Sequence, residues 1–410
     1  MPQKYTIPLL HDHHTHPLFY AAFTSAVNLQ ETATLAEATG LLVAHGEQSE
    51  APLILGHGWR SNRFDWPQDE FEKLPPAAVF NVSLHSLMIN EGGAKVLTSK
   101  YGDIMGKLSD RDWYEANLRS VLNWFANLNA NVESLTAFYD HLLGLGVASA
   151  EELLLVNEYE IELFEKAGLQ ERTQFWAAPD TFAELSLDAK DHIAGLKLFT
   201  DGALGARTAA LKRPYLQRPD YRGMLIYSDD GLRAEIETCL KTGKSLAIHA
   251  IGDRAIEQTL TTLKQTESLV GTVPCVRVEH AQLIDQDMAR LAKELGVHLS
   301  MQPNFSSDSE AYSDRMDREY CAANNPFRML IDEVGFECGT DLIFGSDGMP
   351  HGIQSAIQNA LFAPSQQQRL SIDELVAGYC GASDSRGHIE IEIDEDNFQY
   401  DVVLGSTKDD

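Results

Sequence analysis

The chain has 410 residues, 44% of them hydrophobic and 23% charged, an ordinary globular composition with ample material for a large core. Its 61 acidic against 32 basic residues give a formal charge of −29, which repels phosphate backbones and anionic lipid, so neither nucleic acid nor membrane is an expected partner. The five cysteines, Cys239, Cys275, Cys321, Cys338 and Cys380, are odd in number and form no C-x-x-C, which argues against a disulfide framework and a thiolate zinc site.

Short apolar runs ending in polar or glycine-rich turns read as buried parallel strands. In chain order they cover residues 5–10, 52–55, 77–84, 146–150, 173–178, 194–199, 245–248, 276–279, 297–301 and 342–345. Helical stretches such as 231–242 and 285–295 separate the later runs, and from residue 146 onward the β-α alternation predicts a parallel sheet. Ten strands are two more than a closed barrel of this kind uses. Assigning the second and third to an insertion over residues 17–145 leaves eight. Within it, Asn28 can cap a helix that starts at Leu29 and ends at Gly46. A second helical stripe carries Trp113, Val121, Leu122, Phe125 and Leu128; a third carries Leu135, Phe138 and Leu142 and stops at Gly144. Both stripes read as core packing. The expected fold is therefore α/β: a (β/α)8 TIM-like barrel over residues 1–16 and 146–385, with an insertion or lid at 17–145. In the tail, Ile389, Ile391 and Ile393 alternate with His388, Glu390 and Glu392, and residues 400–404 offer a partner strand. Residues 386–410 are expected to form a small β appendage. With no basic-then-apolar start and no apolar run of transmembrane length, the chain reads as soluble and cytoplasmic.

The residues that carry chemistry fall near strand ends, where such barrels place their active sites. His14 and His16 lie two apart, so on a strand they face one side and can chelate one ion. His11 and His13 have the same spacing in the opposite register. The first pair is preferred because it lies nearest the strand end and shares a face with Asp12; an exposed histidine-rich N-terminus is the bland alternative. Lys197 lies inside an apolar strand, which is costly unless it deprotonates or is modified; otherwise it snorkels to solvent or pairs with Asp201. His249, His280 and Asp347 end later runs. Alone, each histidine reads as a hydrogen-bonded core residue, and Gly345-Ser346-Asp347-Gly348 as a turn. Together they place His-x-His, Lys, His, His and Asp on strands one, four, five, six and eight of one barrel rim.

With these residues in place the sequence resembles the amidohydrolase superfamily, and within it amidohydrolase family 3, the branch that includes N-substituted formamide deformylases. The resemblance rests on Lys197-Leu198-Phe199-Thr200-Asp201-Gly202-Ala203-Leu204-Gly205-Ala206-Arg207-Thr208, His249-Ala250-Ile251-Gly252-Asp253-Arg254-Ala255, Glu279-His280-Ala281-Gln282, Met301-Gln302-Pro303 and Gly345-Ser346-Asp347. Leu55-Gly56-His57-Gly58-Trp59, Asn62-Arg63-Phe64, and His85 with Asn90 continue it in the insertion. It implies His14, His16, Lys197, His249, His280 and Asp347 as metal ligands, the six that spacing had already reached. It further implies one or two divalent ions, with zinc the expected metal, and a CO₂-derived carbamate on Lys197 that bridges them. Asp347 would be the catalytic base in hydrolysis of a non-peptide carbon–nitrogen bond, of amide or formamide type, in a small-molecule substrate. Asp201 and Arg207 would orient that substrate, while His85, Trp59 and Phe64 would cover it; Trp59 and Phe64 read equally well as core. A lyase, isomerase or decarboxylase on the same ligands is one rival, and an inactive binding protein is another. In two places the sequence departs from the family. The His-rich motif starts at residue 11, where family members carry several tens of residues of a small β sandwich first. Half of that sandwich is then expected to be absent or completed by another subunit, as in a homodimer. After Pro350 the likeness thins.

Overall fold

Strands that are buried on both faces need no alternation between covered and exposed positions, and two of them here show none: all six positions of Ser245–Ala250 and all five of Val276–His280 are buried. The computed structural model describes residues 2–60, 63–81, 84, 86–110, 113–114, 118–379, 386–394 and 397–406. Its strands are β1 (Gln3–Pro8), β2 (Leu10–Thr15), β3 (Val27–Asn28), β4 (Ile54–Trp59), β5 (Ala77–Asn81), β6 (Leu87–Ile89), β7 (Val147–Leu155), β8 (Thr173–Ala177), β9 (Ile193–Phe199), β10 (Ser245–Ala250), β11 (Val276–His280), β12 (His298–Met301), β13 (Leu342–Phe344), β14 (Gly387–Asp394) and β15 (Gln399–Ser406). The chain divides into a larger unit, Met1–His16, Tyr139–Ile161 and Leu169–Asp410, and a smaller one, Pro17–Phe138 and Glu162–Gly168.

In the larger unit eight strands run parallel in the order β13-β12-β11-β10-β9-β8-β7-β2, a (β/α)8 barrel. Two of the helices start on side-chain caps: Ser228 accepts from the Gly231 N–H ahead of Asp229–Leu240, and Asp285 from the Met288 N–H ahead of Gln286–Glu294. The end of β13 closes on β2. There the Asp347 N–H donates to the His14 carbonyl at 2.6 Å and the Ser346 N–H to Asp12 Oδ1 at 2.9 Å. Between them, a Cβ on Gly345 would lie 2.3 Å from the His14 nitrogen.

The expected first strand, 5–10, proves to be two. β1 pairs antiparallel with β14, and β14 with β15, in a separate three-stranded sheet; only β2 enters the barrel, and Leu9 alone separates the two. The His-rich motif therefore lies within the barrel strand rather than beyond it. The small sheet draws its third strand from β1, which corrects the expectation of a two-stranded remnant. Ile389, Ile391 and Ile393 form its inner face, and Ile389 reaches Gly146, whose backbone φ is +85°.

The smaller unit has a four-stranded sheet, β3-β4-β5-β6, parallel except for β6. Leu29, Leu42, Phe71 and Val79 are central to its core. Its first full sheet-covering helix is Leu35–Gly46, capped by Thr34 through the Glu37 N–H. Asn28 instead sits in β3 and accepts from the Gln30 N–H at 2.9 Å, closing a turn rather than capping a helix. The unit is pinned by Asn90. Its Oδ1 accepts from the Ala77 and Gly93 N–H groups at 3.0 and 2.8 Å, and its Nδ2 donates to the Leu74 and Pro75 carbonyls at 3.0 and 2.8 Å. Asn90→Ala strands these buried groups, at a cost of roughly 2–4 kcal/mol. Hydrogen exchange across residues 74–93 should accelerate accordingly, and a change under about 0.5 kcal/mol would contradict the role. Among the described residues no helix is long and apolar enough to cross a membrane.

Candidate metal centre

The barrel register brings the predicted ligands together. Lys197 in β9 pairs with Ala247 in β10, His249 in β10 with Glu279 in β11, and Ala250 with His280. Ring centroids lie 4.7 Å apart for His14 and His280, 5.8 Å for His14 and His16, and 4.5 Å for His249 and His280. Asp347 Oδ1 is 3.4 Å from His16 Nε2 and 3.8 Å from His14 Nε2. One ligand atom each from His14, His280 and Asp347 lie within 4.8 Å of one another. Lys197 is 1% exposed, and its charge acts on both His14 and His280.

Three of the imidazoles have one nitrogen committed to the protein. His14 Nδ1 is 2.5 Å from Glu279 Oε2, His280 Nδ1 is 2.6 Å from Gln302 Oε1, and His249 Nε2 is 3.1 Å from the Gly202 carbonyl. Each acceptor draws the N–H to its own side and leaves a lone pair on the other nitrogen. Those remaining atoms, His14 Nε2, His280 Nε2 and His249 Nδ1, are buried and have no hydrogen-bond partner among the described residues. A buried polar atom without a partner is costly, and two of these, on His14 and His280, grouped with Asp347 and with the His249 ring beside His280, fit a divalent cation with orienting acceptors behind its ligands. Burial, with the Lys197 charge adding to it, pushes the His14 imidazole down to about 4. Burial and then the His249 and His14 rings hold His280 well below the usual histidine range. Both are thus neutral, the form that ligates metal.

The sequence profile of the amidohydrolase family matches residues 3–356. The chain belongs to amidohydrolase family 3. Among relatives of this chain, the Bacillus subtilis (strain 168) protein named "Putative amidohydrolase YtcJ" is 25% identical over 344 residues, covering 74% of the chain and 64% of that relative. The chain thus spans less than two thirds of that relative's length. Crystal structures of two uncharacterized metal-dependent hydrolases share the fold, each at a TM-score of 0.71. The one from Pyrococcus furiosus is 23% identical and the match covers 91% of this chain and 80% of that one; the one from Pyrococcus horikoshii OT3 is 24% identical and the match covers 92% and 80%.

In this family member the remaining predicted residues take varied places. Asp201 accepts from three backbone N–H groups, those of Ile251 (3.0 Å), Gly252 (2.9 Å) and Ala210 (2.8 Å), and also lies 3.4 Å from His249 Nε2. It fastens the loop after β9 to the end of β10 and is 2% exposed. Arg207, in the same loop, donates to Asp314 at 3.4 Å. Trp59 packs in the smaller unit against its core, edge-on to Trp66, and its Nε1 donates to the Phe64 carbonyl. His85, Asn62 and Cys380 lie outside the described residues. Asp12, expected on the face of His14 and His16, is buried like His14 and ties the barrel seam through Ser346, where burial pushes its carboxyl up to about 6.

Sequence reasoning missed the residues behind the ligands. Glu279 and Gln302 stood only inside family-like phrases, and nothing about an isolated Glu or Gln announces an imidazole partner. It also missed the backbone: His280 and Asp347 have φ of +70° and +51°, a left-handed conformation that costs a non-glycine residue about 1–2 kcal/mol and recurs at functional sites. The rival register, His11 and His13, gathers around Glu151 as a second group whose ligand atoms lie within 4.8 Å of one another.

Proposed function

We propose that this protein is a metal-dependent hydrolase that cleaves a non-peptide carbon–nitrogen bond, of amide or formamide type, in a small molecule. The observation that carries the reading is the set of three buried imidazole nitrogens left over after Glu279, Gln302 and Gly202 take the others. His14, His16, His249, His280, Asp347 and Lys197 would hold one or two divalent ions, with zinc favoured by the imidazole and carboxylate donors. A cation bound there lowers the pKa of water toward about 7 and polarises a carbonyl oxygen. Asp347 takes a proton from the attacking water as the new C–O bond forms, then returns it to the nitrogen as the C–N bond breaks. Lys197 serves best as a carbamate, formed when its neutral amine adds CO₂, because an unmodified ammonium would repel the ion. The amide and formamide class follows from the family likeness. The four described cysteines, all free, suit a reducing cytoplasm.

Elemental analysis of the purified protein, followed by assay of N-formyl and N-acyl amines in ¹⁸O-water, tests this. One or two equivalents of metal per chain are expected, with turnover lost on chelation, restored by zinc, and the label found in the acid product. A metal-free protein that takes up no zinc would overturn the reading; turnover without label would make the enzyme a lyase or isomerase.

A further inference from the structure

We propose that Arg277 is a positioning residue for the metal centre, holding Glu279 against His14 from a charged layer inside the barrel. The inference rests on the cation site proposed above. Barrel interiors of this kind are ordinarily filled by branched apolar side chains in layers. Here Arg277, Glu151 and Glu279, 3%, 2% and 0% exposed, take those places on β11 and β7. The guanidinium works in two directions. Its Nη1 and Nη2 donate to Glu151 Oε1 and Oε2 at 3.2 and 2.7 Å, while its Nε lies 2.5 Å from Glu279 Oε1 in an ion pair. The other oxygen of Glu279 meets His14 Nδ1. A continuous run of paired groups thus leads from Glu151 through Arg277 and Glu279 to His14.

The far end of this run is fixed by other strands. Trp176 Nε1 donates to Glu151 Oε2 at 2.6 Å and its ring lies 4.1 Å beneath the guanidinium. His13 Nδ1 lies 2.9 Å from Glu151 Oε1, and Arg277 Nη2 donates to the His13 carbonyl at 3.2 Å. Both oxygens of Glu151 are therefore taken. A cation among His11, His13 and Glu151 would have to displace a guanidinium, so that group anchors Arg277 rather than forming a second metal site. Held from β2, β7 and β8, Arg277 leaves Glu279 one position, and an ionised Glu279 can only accept. His14 must then present its Nδ1–H to Glu279 and its Nε2 lone pair to the site. A lysine cannot replace this: it lacks the fork that grips Glu151 while a third nitrogen reaches Glu279.

Arg277→Lys and Glu279→Gln in the full chain test the proposal through zinc affinity, read by competition with a chromophoric chelator, and through the visible spectrum of the cobalt-loaded protein. Zinc binding should weaken about ten- to hundredfold and the cobalt bands should shift, with near-ultraviolet circular dichroism unchanged. Wild-type affinity and spectrum in both variants would overturn the role of Arg277, whereas a wild-type protein that binds no zinc would overturn the metal site itself. Should the variants not fold, ¹⁵N-histidine spectra of the metal-free wild type decide the matter, with His14 assigned by its loss in His14→Gln. The Nδ1–H tautomer is expected, and the Nε2–H tautomer refutes the proposal.

Discussion

Asp347→Asn is expected to lower kcat by two to four orders of magnitude while bound metal stays in place. An asparagine keeps the size of the side chain and one oxygen able to coordinate, but an amide cannot take a proton from water or return it to a leaving nitrogen, and proton transfer of this kind contributes about 10²–10⁴-fold. The backbone tolerates the change, because asparagine adopts the φ of +51° seen here more readily than most residues. The Asp347 N–H bond to the His14 carbonyl is unaffected. Turnover, metal content and circular dichroism of the variant separate the two roles proposed for this carboxylate. A fall in kcat of less than tenfold with full metal would remove Asp347 from the proton pathway; loss of metal with intact fold would make it chiefly a ligand.

Gly345→Ala should damage the protein more than its size suggests. The added Cβ would lie 2.3 Å from the His14 nitrogen, 2.5 Å from its Cβ and 2.7 Å from its Cα, and none of these atoms can rotate away. The seam around it is already tied by Ser346 to Asp12, by Asp347 to His14, and by the Tyr379 hydroxyl, which donates to the Gly345 carbonyl at 3.0 Å. Separating the two strands breaks those bonds, so a loss of about 3 kcal/mol or more is expected. Metal should be lost as well, since His14 stands on the seam. Urea unfolding with metal analysis checks both; a variant within about 1 kcal/mol of wild type and fully loaded would show that β13 and β2 do not meet this closely.

Much of the barrel was legible because parallel strands covered on both faces leave short apolar runs, as in 246–248 and 342–344. The candidate ligands His249 and His280 were legible because each directly follows a strand predicted from the sequence. What was hidden depended on partners distant in the chain. The apolar run 146–150 ends at Ala150, yet β7 continues through Glu151 and Glu152 to Leu155. Glu151 is tolerated there because Arg277, 126 residues away, meets it. The single run 5–10 concealed a change of sheet, since Ile7 and Leu10 are both buried but against different neighbours. Three-residue β6 carries too little pattern to register, and Asn28, a good cap by composition, serves a turn.

The hand-over at Leu9 has a mechanical side. Gln3 lies opposite Ile393, Pro8 opposite His388 and Gly387 opposite Ser406, so β1 is clasped by β14, itself held by β15, one residue upstream of the strand that bears His14. Only Leu9 separates β1 from that strand, so a proteolytic nick between β14 and β15 is expected to disturb the cation site proposed at His14, with metal content after nicking as the check.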